Sequence, residues 1–424
     1  MDLWRIQGGE RLVGECRVQG SKNAVLPILA ACLLCPGTVE LDRVPGLRDV
    51  DAALQILEHL GCTVRREGER VSVNAAGVNC CTIPRELMSR MRSSVIFMGA
   101  LLARCRRAEL SLPGGCMLGK RPIDLHLLAL RLLGAEIREE GEALHCLPAG
   151  LKGAVIRLPF PSVGATENAM LAACGAKGET LILGAAREPE IVALQSFLRT
   201  LGAKIAGAGG ESIRIWGFQG RERVRFRSPA DRIAGATLCC ACAACGGNIQ
   251  LHDCQPRHFS TVLHVLNQAG CDIILKNNGL RIRAPSRLRA VGPVVTAPYP
   301  GFPTDAQPLL MAALLRAKGE SVIRETIFEN RFRQAPQLQK LGACIRLEGR
   351  EARIRGVERL QGAVLDATDL RGGAAMVLAG LSAQGETLVR DRGHVRRGYE
   401  KLDACLRQLG ARIVYEGDHN GTFV

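Results

Sequence analysis

The sequence predicts an α/β protein of two domains, each assembled from three copies of one βαβαββ-type unit. Its length of 424 residues exceeds the size at which a single core stops growing. It also repeats itself. A helix-ending Leu-Gly or Ala-Gly, followed by a small residue and a β-like run, recurs at Gly61, Gly134, Gly202, Gly270, Gly342 and Gly410, at intervals of 68 to 73 residues. Each copy keeps the same internal order. The period is longer than that of ordinary solenoid repeats, so the copies group into compact domains.

The first copy sets the pattern. A short strand at Asp2–Ile6 precedes it and has no repeat of its own, so it could pair with either half. Ser21-Lys-Asn-Ala-Val-Leu-Pro-Ile-Leu-Ala30 gives a polar start and then an Ala/Leu helix. Gly37-Thr-Val-Glu-Leu41 reads as a turn and a strand, and Val50–Leu60 as a second, amphipathic helix. Gly61 ends that helix in the left-handed C′ position that glycine suits. Thr63–Glu67 and Arg70–Asn74 complete the unit as two strands around a tight polar turn. Gly178-Glu-Thr, Gly319-Glu-Ser and Gly385-Glu-Thr repeat the turn in later copies. With three copies per domain, the break falls near Arg227-Ser-Pro-Ala230. This gives one domain at 21–229 and another at 1–20 plus 230–424.

Every first helix opens on a residue able to cap it: Ser21, Ser93 or Ser94, Ser162 or Thr166, Asp231, Thr304 and Thr368. Helix N-termini present free N–H groups and partial positive charge. A pseudo-threefold arrangement in each domain would let these ends converge on an interdomain cleft and favour anions there. Lys22, Arg92, Arg232, Asp305 and Arg371 stand beside these starts.

Composition narrows the class. The formal charge is +15, but the basic residues are dispersed and Phe, Tyr and Trp make up only 4% of the chain. That leaves no stacking surface for nucleic acid, so anionic small substrates are the better partners and nucleic acid is not expected. The N-terminus lacks an apolar leader-like run, and no uninterrupted apolar stretch reaches the ~18 residues of a membrane span. A cytoplasmic protein without a membrane segment is expected. The eighteen cysteines fall mostly on Ala-rich helical segments and read as free, packed thiols. Cys242 and Cys245 form one Cys-x-x-Cys pair, where a structural zinc site usually needs two, so no metal is assigned.

One cysteine stands apart. Cys116 follows two glycines and precedes Lys120 and Arg121, in Leu112-Pro-Gly-Gly-Cys-Met-Leu-Gly-Lys-Arg-Pro-Ile-Asp-Leu-His126. Glycines allow a bent or mobile loop, and the cations favour the thiolate, so the segment by itself fits a reactive thiol and a surface hairpin with an incidental cysteine equally well.

Six segments together resemble one family. They are Gly20-Ser-Lys-Asn-Ala-Val-Leu-Pro27, the Cys116 loop, Ser162-Val-Gly-Ala-Thr-Glu-Asn168, Ala186-Arg-Glu-Pro-Glu-Ile191, Pro298-Tyr-Pro-Gly-Phe-Pro-Thr-Asp305 and Thr326-Ile-Phe-Glu-Asn-Arg-Phe332. In this order they resemble the UDP-N-acetylglucosamine 1-carboxyvinyltransferase family of enolpyruvyl transferases, from about Asp2 to about Tyr415. The resemblance implies two inside-out α/β domains, each of three such units around buried helices, with the active site in the interdomain cleft. It implies transfer of the enolpyruvyl group of phosphoenolpyruvate to the 3′-hydroxyl of UDP-N-acetylglucosamine by addition and elimination, with release of phosphate. No metal or organic cofactor is implied.

The resemblance also implies roles. Cys116 would protonate the methylene carbon or assist phosphate departure, and would be open to alkylation by fosfomycin. Asp305 would be the base for the sugar hydroxyl. Lys22, Arg121 and Arg397 would hold phosphoenolpyruvate, with Arg371 and Arg331 in support, since the guanidinium fork matches both oxyanions. Asn23 would contact substrate and intermediate. Arg92, the run Arg121, Pro122, Ile123, Asp124 and Leu125, the turn Ser162, Val163 and Gly164, and Ile327 would bind the UDP-sugar. His126 reads as structural. Near the C-terminus the family usually reads His-x-Asp-Arg-Gly-Tyr-Glu, where this chain has His394-Val-Arg-Arg-Gly-Tyr-Glu400, so Arg396 replaces an acid. That departure allows a specialised or non-catalytic paralogue that binds a UDP-sugar. The 3-phosphoshikimate-using enolpyruvyl transferases share the chemistry but lack this cysteine loop and the Ser-Lys-Asn-Ala start.

Overall fold

A computed structural model describes residues 2–111, 123–147, 150–218 and 220–417. The described residues form two compact units. One holds those between 20 and 229, the other those at 2–19 and 230–417.

Among the described residues, each unit carries three four-stranded sheets built to one pattern. In the first, Thr38–Asp42 runs parallel to Arg223–Arg227 and antiparallel to Arg70–Asn74, which in turn pairs with Thr63–Glu67. The edge strand therefore comes from the far end of the unit. The other unit makes the same loan from its N-terminal segment. Leu12–Arg17 is the parallel edge beside Gly247–His252. Asp2–Gln7 fills the middle of the last sheet, antiparallel to both Glu386–Asp391 and Arg412–Glu416. The last copy ends in one strand rather than a hairpin, and the unassigned first strand supplies the missing partner. In that position Trp4 and Ile6 point into the core and are buried.

Helices fill the interior. Lys22–Ala31, Val163–Ala173, Arg232–Cys245, Gln307–Leu314 and Leu370–Ser382 are apolar nearly all round and are buried over almost their whole length. Helices of that composition have no solvent face to offer. The sheets lie outside them with alternating exposure, as in Ser212–Trp216, where Ile213 and Ile215 are buried and Arg214 is exposed. Each unit is thus inside-out. Cys239, Cys240, Cys242 and Cys245 belong to a buried helix, and burial pushes the Cys242 and Cys245 thiols up to about 12. They are packing residues. No helix of the described residues is long and apolar enough to cross a membrane.

The six repeat glycines at 61, 134, 202, 270, 342 and 410 all have φ between +88° and +107°. A side chain is strained in that region, so glycine closes every second helix. The caps follow the sequence less uniformly. Ser21, Ser162 and Asp231 accept from the amides of the first helical turn as expected. At the helix Leu370–Ser382 the cap is Asp369, not Thr368, accepting from Arg371 N and Gly372 N at 3.1 and 3.0 Å. A carboxylate outcompetes the neighbouring hydroxyl because it is charged and faces the positive helix end. Thr304 and Ser94 cap nothing. Thr304 lies inside a 3₁₀ turn with its hydroxyl on Glu325, and Ser94 donates to Met88 O.

Candidate functional site

In the unit spanning 20–229, Lys22 opens the first buried helix with its ammonium 2.5 Å from Asp49 Oδ2. Both are almost wholly buried. A charge at such depth must be paired, and Asp49, in the first turn of Arg48–His59, supplies the partner. Asn23 follows, partly exposed. Arg92 begins the 3₁₀ turn Arg92–Ile96 and is also partly exposed. Ile123 precedes the helix Asp124–Leu132, with Asp124 exposed in its first turn and Leu125 partly buried.

That helix carries His126 against the Ser162-Val163-Gly164 turn. A Cβ on Gly164 would stand 2.8 Å from His126 Cε1, so only glycine lets the turn lie on the ring. Asn168 organises the contact. Its Oδ1 accepts from Gly99 N at 2.7 Å, and its Nδ2 donates to Val95 O at 3.0 Å and to His126 Nδ1 at 2.7 Å. The imidazole therefore carries its proton on Nε2. Burial lowers the His126 pKa to about 4, with Arg92 adding to the shift and Asp124 opposing it. Between about 4 and 6.5 the unfolded chain binds a proton that the folded ring refuses. The contribution to stability is complete above 6.5 and is lost as pH falls toward 4, to the extent of about 3 kcal/mol. We expect the melting temperature of His126→Gln to fall less steeply than that of the wild type over this window. Parallel pH profiles would contradict the assignment.

The other unit gathers a denser set. Asp305 Oδ1 accepts from Arg331 Nη2 at 2.9 Å, and Asp305 Oδ2 accepts from Arg371 Nε and Nη2, both at 3.2 Å. The two arginines are buried, whereas the Asp305 side chain is 32% exposed. Two guanidinium groups on one carboxylate favour its ionised form, and its exposure leaves room for a reactant to approach. Arg331 also donates from Nε to Thr304 O at 3.2 Å and lies 3.9 Å from Asp369. Arg371 sits 5.2 Å over the Tyr399 ring, whose hydroxyl is 2.8 Å from Thr237 Oγ1. Burial raises the Tyr399 pKa, and Arg371 opposes the shift.

Ile327 reaches this set through Glu325. That buried carboxylate accepts from Ile327 N, Phe328 N and Thr296 Oγ1 on one oxygen, at 2.8, 3.1 and 2.9 Å. Its other oxygen accepts from Thr304 Oγ1 at 2.9 Å. Arg397 ends the short turn Val395–Arg397. Asp391 holds the turn by accepting from His394 N and Val395 N, and Gln19 clamps its exit through Gly398 O and Glu400 N, both at 3.0 Å. Arg396 lies 5.2 Å over the Tyr415 ring.

The structure thus joins Asp305, Arg331 and Arg371 directly, and Ile327 through Glu325 and Thr304. It sets Lys22 on Asp49. Cys116, Arg121 and Pro122 lie outside the described residues. Sequence reasoning missed Asp49, Glu325, Asp391 and Gln19, and it gave Asn168 no role. Only Asp49 carried a signal, as an acid in a helical first turn 27 residues after Lys22. Among the described residues no group of three or more His, Cys, Asp or Glu could hold a metal ion.

Comparison with known proteins adds the family. The sequence pattern of the EPSP synthase (3-phosphoshikimate 1-carboxyvinyltransferase) family matches residues 6–406. The chain is 46% identical over 414 residues to UDP-N-acetylglucosamine 1-carboxyvinyltransferase 2 of Caldanaerobacter subterraneus subsp. tengcongensis, covering 98% of this chain and 99% of that protein. It is 45% identical to UDP-N-acetylglucosamine 1-carboxyvinyltransferase of Finegoldia magna, with 97% and 98% covered. Among solved structures, the enolpyruvyl transferase NikO from Streptomyces tendae superposes with a TM-score of 0.86 at 26% identity, covering 98% of both chains. EPSP synthase from Acinetobacter baumannii, 19% identical over 98% of this chain and 100% of that one, shares the fold with a TM-score of 0.75.

Proposed function

Because the chain belongs to the UDP-N-acetylglucosamine 1-carboxyvinyltransferases of the EPSP synthase family, we propose that it moves the enolpyruvyl group of phosphoenolpyruvate to the 3′-hydroxyl of UDP-N-acetylglucosamine and releases phosphate. It is an enzyme, and its product is a peptidoglycan precursor. The observation that carries the reaction is the 46% identity over almost the whole of both chains. A cytoplasmic location and a service to cell shape and division follow from that product.

The chemistry needs three things: a proton for the methylene carbon, a base for the sugar hydroxyl, and cations for the phosphate and carboxylate. Asp305 is the base. Its ionised, partly exposed carboxylate on two buried arginines supports that role. Lys22, Arg121 and Arg397 hold phosphoenolpyruvate, with Arg331 and Arg371 in support. Asn23, Arg92, the run from Arg121 through Pro122 to Leu125, the Ser162–Gly164 turn and Ile327 hold the UDP-sugar. Cys116 gives the proton to the methylene, or aids phosphate departure, and can add to an electrophile. The roles use only side chains of this chain. Neither nucleic acid nor a membrane takes part.

The test is phosphate release from phosphoenolpyruvate with either UDP-N-acetylglucosamine or shikimate 3-phosphate. We expect release with the UDP-sugar alone. We also expect its loss after fosfomycin treatment, with the adduct on Cys116 by mass spectrometry. Release with shikimate 3-phosphate, or with neither acceptor, would overturn the reading, and an unmodified Cys116 would overturn its reactive role.

A further inference from the structure

The geometry points to Glu325 as a positioning residue that ties the base to the sugar-binding turn. The inference rests on the reaction proposed above. Glu325 immediately follows the strand Glu320–Arg324 and is 1% exposed. A carboxylate at that depth is costly unless its lone pairs are used. Its side-chain oxygens accept from three segments, at Thr296, at Thr304 and at Ile327-Phe328. Through Oε1 it accepts from the consecutive amides of Ile327 and Phe328, and through Oε2 from the hydroxyl of Thr304. Ile327 is the contact assigned to the UDP-sugar, and Thr304 immediately precedes Asp305.

Thr296 and Arg331 stiffen the arrangement. Thr296 donates its hydroxyl to Glu325 Oε1 and accepts at the same oxygen from Thr326 N at 2.8 Å. Arg331 holds Thr304 O and Asp305 Oδ1 together, so the peptide and the side chain of the base pair are fixed from opposite ends. Glu325 and Arg331 thus grip the same dipeptide, one by the Thr304 hydroxyl and the other by its carbonyl. The acceptor sugar must meet Ile327 and Asp305 at once. A single buried carboxylate sets the spacing of the two, which makes it a determinant of how the acceptor hydroxyl is presented to its base.

Glutamine can keep the arrangement. Its carbonyl oxygen would accept from the two amides and from Thr296, while its NH₂ would donate to Thr304 Oγ1, which can turn to accept. Alanine would leave the two part-buried amides and both hydroxyls without this partner. Hydrogen bonds to charged groups are strong enough that their joint loss changes a binding or rate constant roughly tenfold or more.

The experiment measures kcat and both KM values for wild type, Glu325→Ala and Glu325→Gln, with melting curves for each. The expected result for Glu325→Ala is a rise in KM for UDP-N-acetylglucosamine and a fall in kcat, each about tenfold or more, with KM for phosphoenolpyruvate unchanged. Glu325→Gln should recover most of both. General destabilisation would instead lower kcat alone through the active fraction. Unchanged constants, an equal rise in both KM values, or a fall in kcat alone would overturn the proposal. If Glu325→Ala does not fold, Glu325→Asp serves in its place, since its shorter arm cannot span both segments, and the same pattern is required of it. A wild type that releases no phosphate from the two substrates would refute the reaction itself, and this inference with it.

Discussion

Asp305→Asn should abolish most turnover while leaving the fold in place. Asparagine keeps the shape and one acceptor oxygen, so only one of Arg331 and Arg371 retains its bond here, and the melting temperature falls moderately. What is lost is the ability to take the proton of the sugar hydroxyl. General base catalysis contributes on the order of 10²–10⁴-fold, and kcat should fall by that much. Asp305→Leu should behave differently, because it also strips the carboxylate from two arginines that are each under 5% exposed. Removing one partner from a buried charge set costs about 3–5 kcal/mol, so this variant loses stability as well as rate. Steady-state kinetics with thermal melting separates the two effects. An Asp305→Asn enzyme within tenfold of wild type would remove Asp305 from the role of base.

The contrast between Asp305 and Glu325 shows what the sequence made legible. Asp305 sits in a Pro-rich run just inside a helical turn, and that local context marks it. Glu325 sits at a strand end like any surface acid. Its partners at Thr296 and Thr304 lie more than twenty residues away, so only the folded chain brings them to it. The same holds for Asn168 and His126, 42 residues apart, and for Gln19, whose partners lie near residue 400. Local signals were read well where the physics is local. The repeat glycines fix helix ends, the Ala/Leu runs fix buried helices, and Ser21, Ser162 and Asp231 fix caps. Strand exchange was not legible. Alternation shows that Asp2–Gln7 is a strand, but nothing within it names Glu386–Asp391 and Arg412–Glu416 as neighbours.

Lys22→Met should show the second large effect. It removes the ammonium from Asp49, which is 2% exposed, and leaves that carboxylate without its 2.5 Å ion pair. A loss of about 3–5 kcal/mol is expected from that alone. Turnover should fall as well, with KM for phosphoenolpyruvate raised, because Lys22 is assigned to its anionic groups. The double variant Lys22→Met/Asp49→Leu distinguishes the two roles. Replacing both members of a buried pair with apolar groups is often neutral, so chemical denaturation should show stability largely regained. Activity should stay lost. Recovery of both in the double variant would make Lys22 a structural residue only.

The most direct test of the whole account follows one oxygen atom. Addition of the sugar hydroxyl to the central carbon of phosphoenolpyruvate, followed by elimination, breaks the bond between that carbon and its bridging oxygen. Phosphoenolpyruvate labelled with ¹⁸O at the bridge should therefore yield labelled phosphate and an unlabelled enolpyruvyl ether on UDP-N-acetylglucosamine. Label retained in an organic product, or labelled pyruvate in place of the ether, would contradict it.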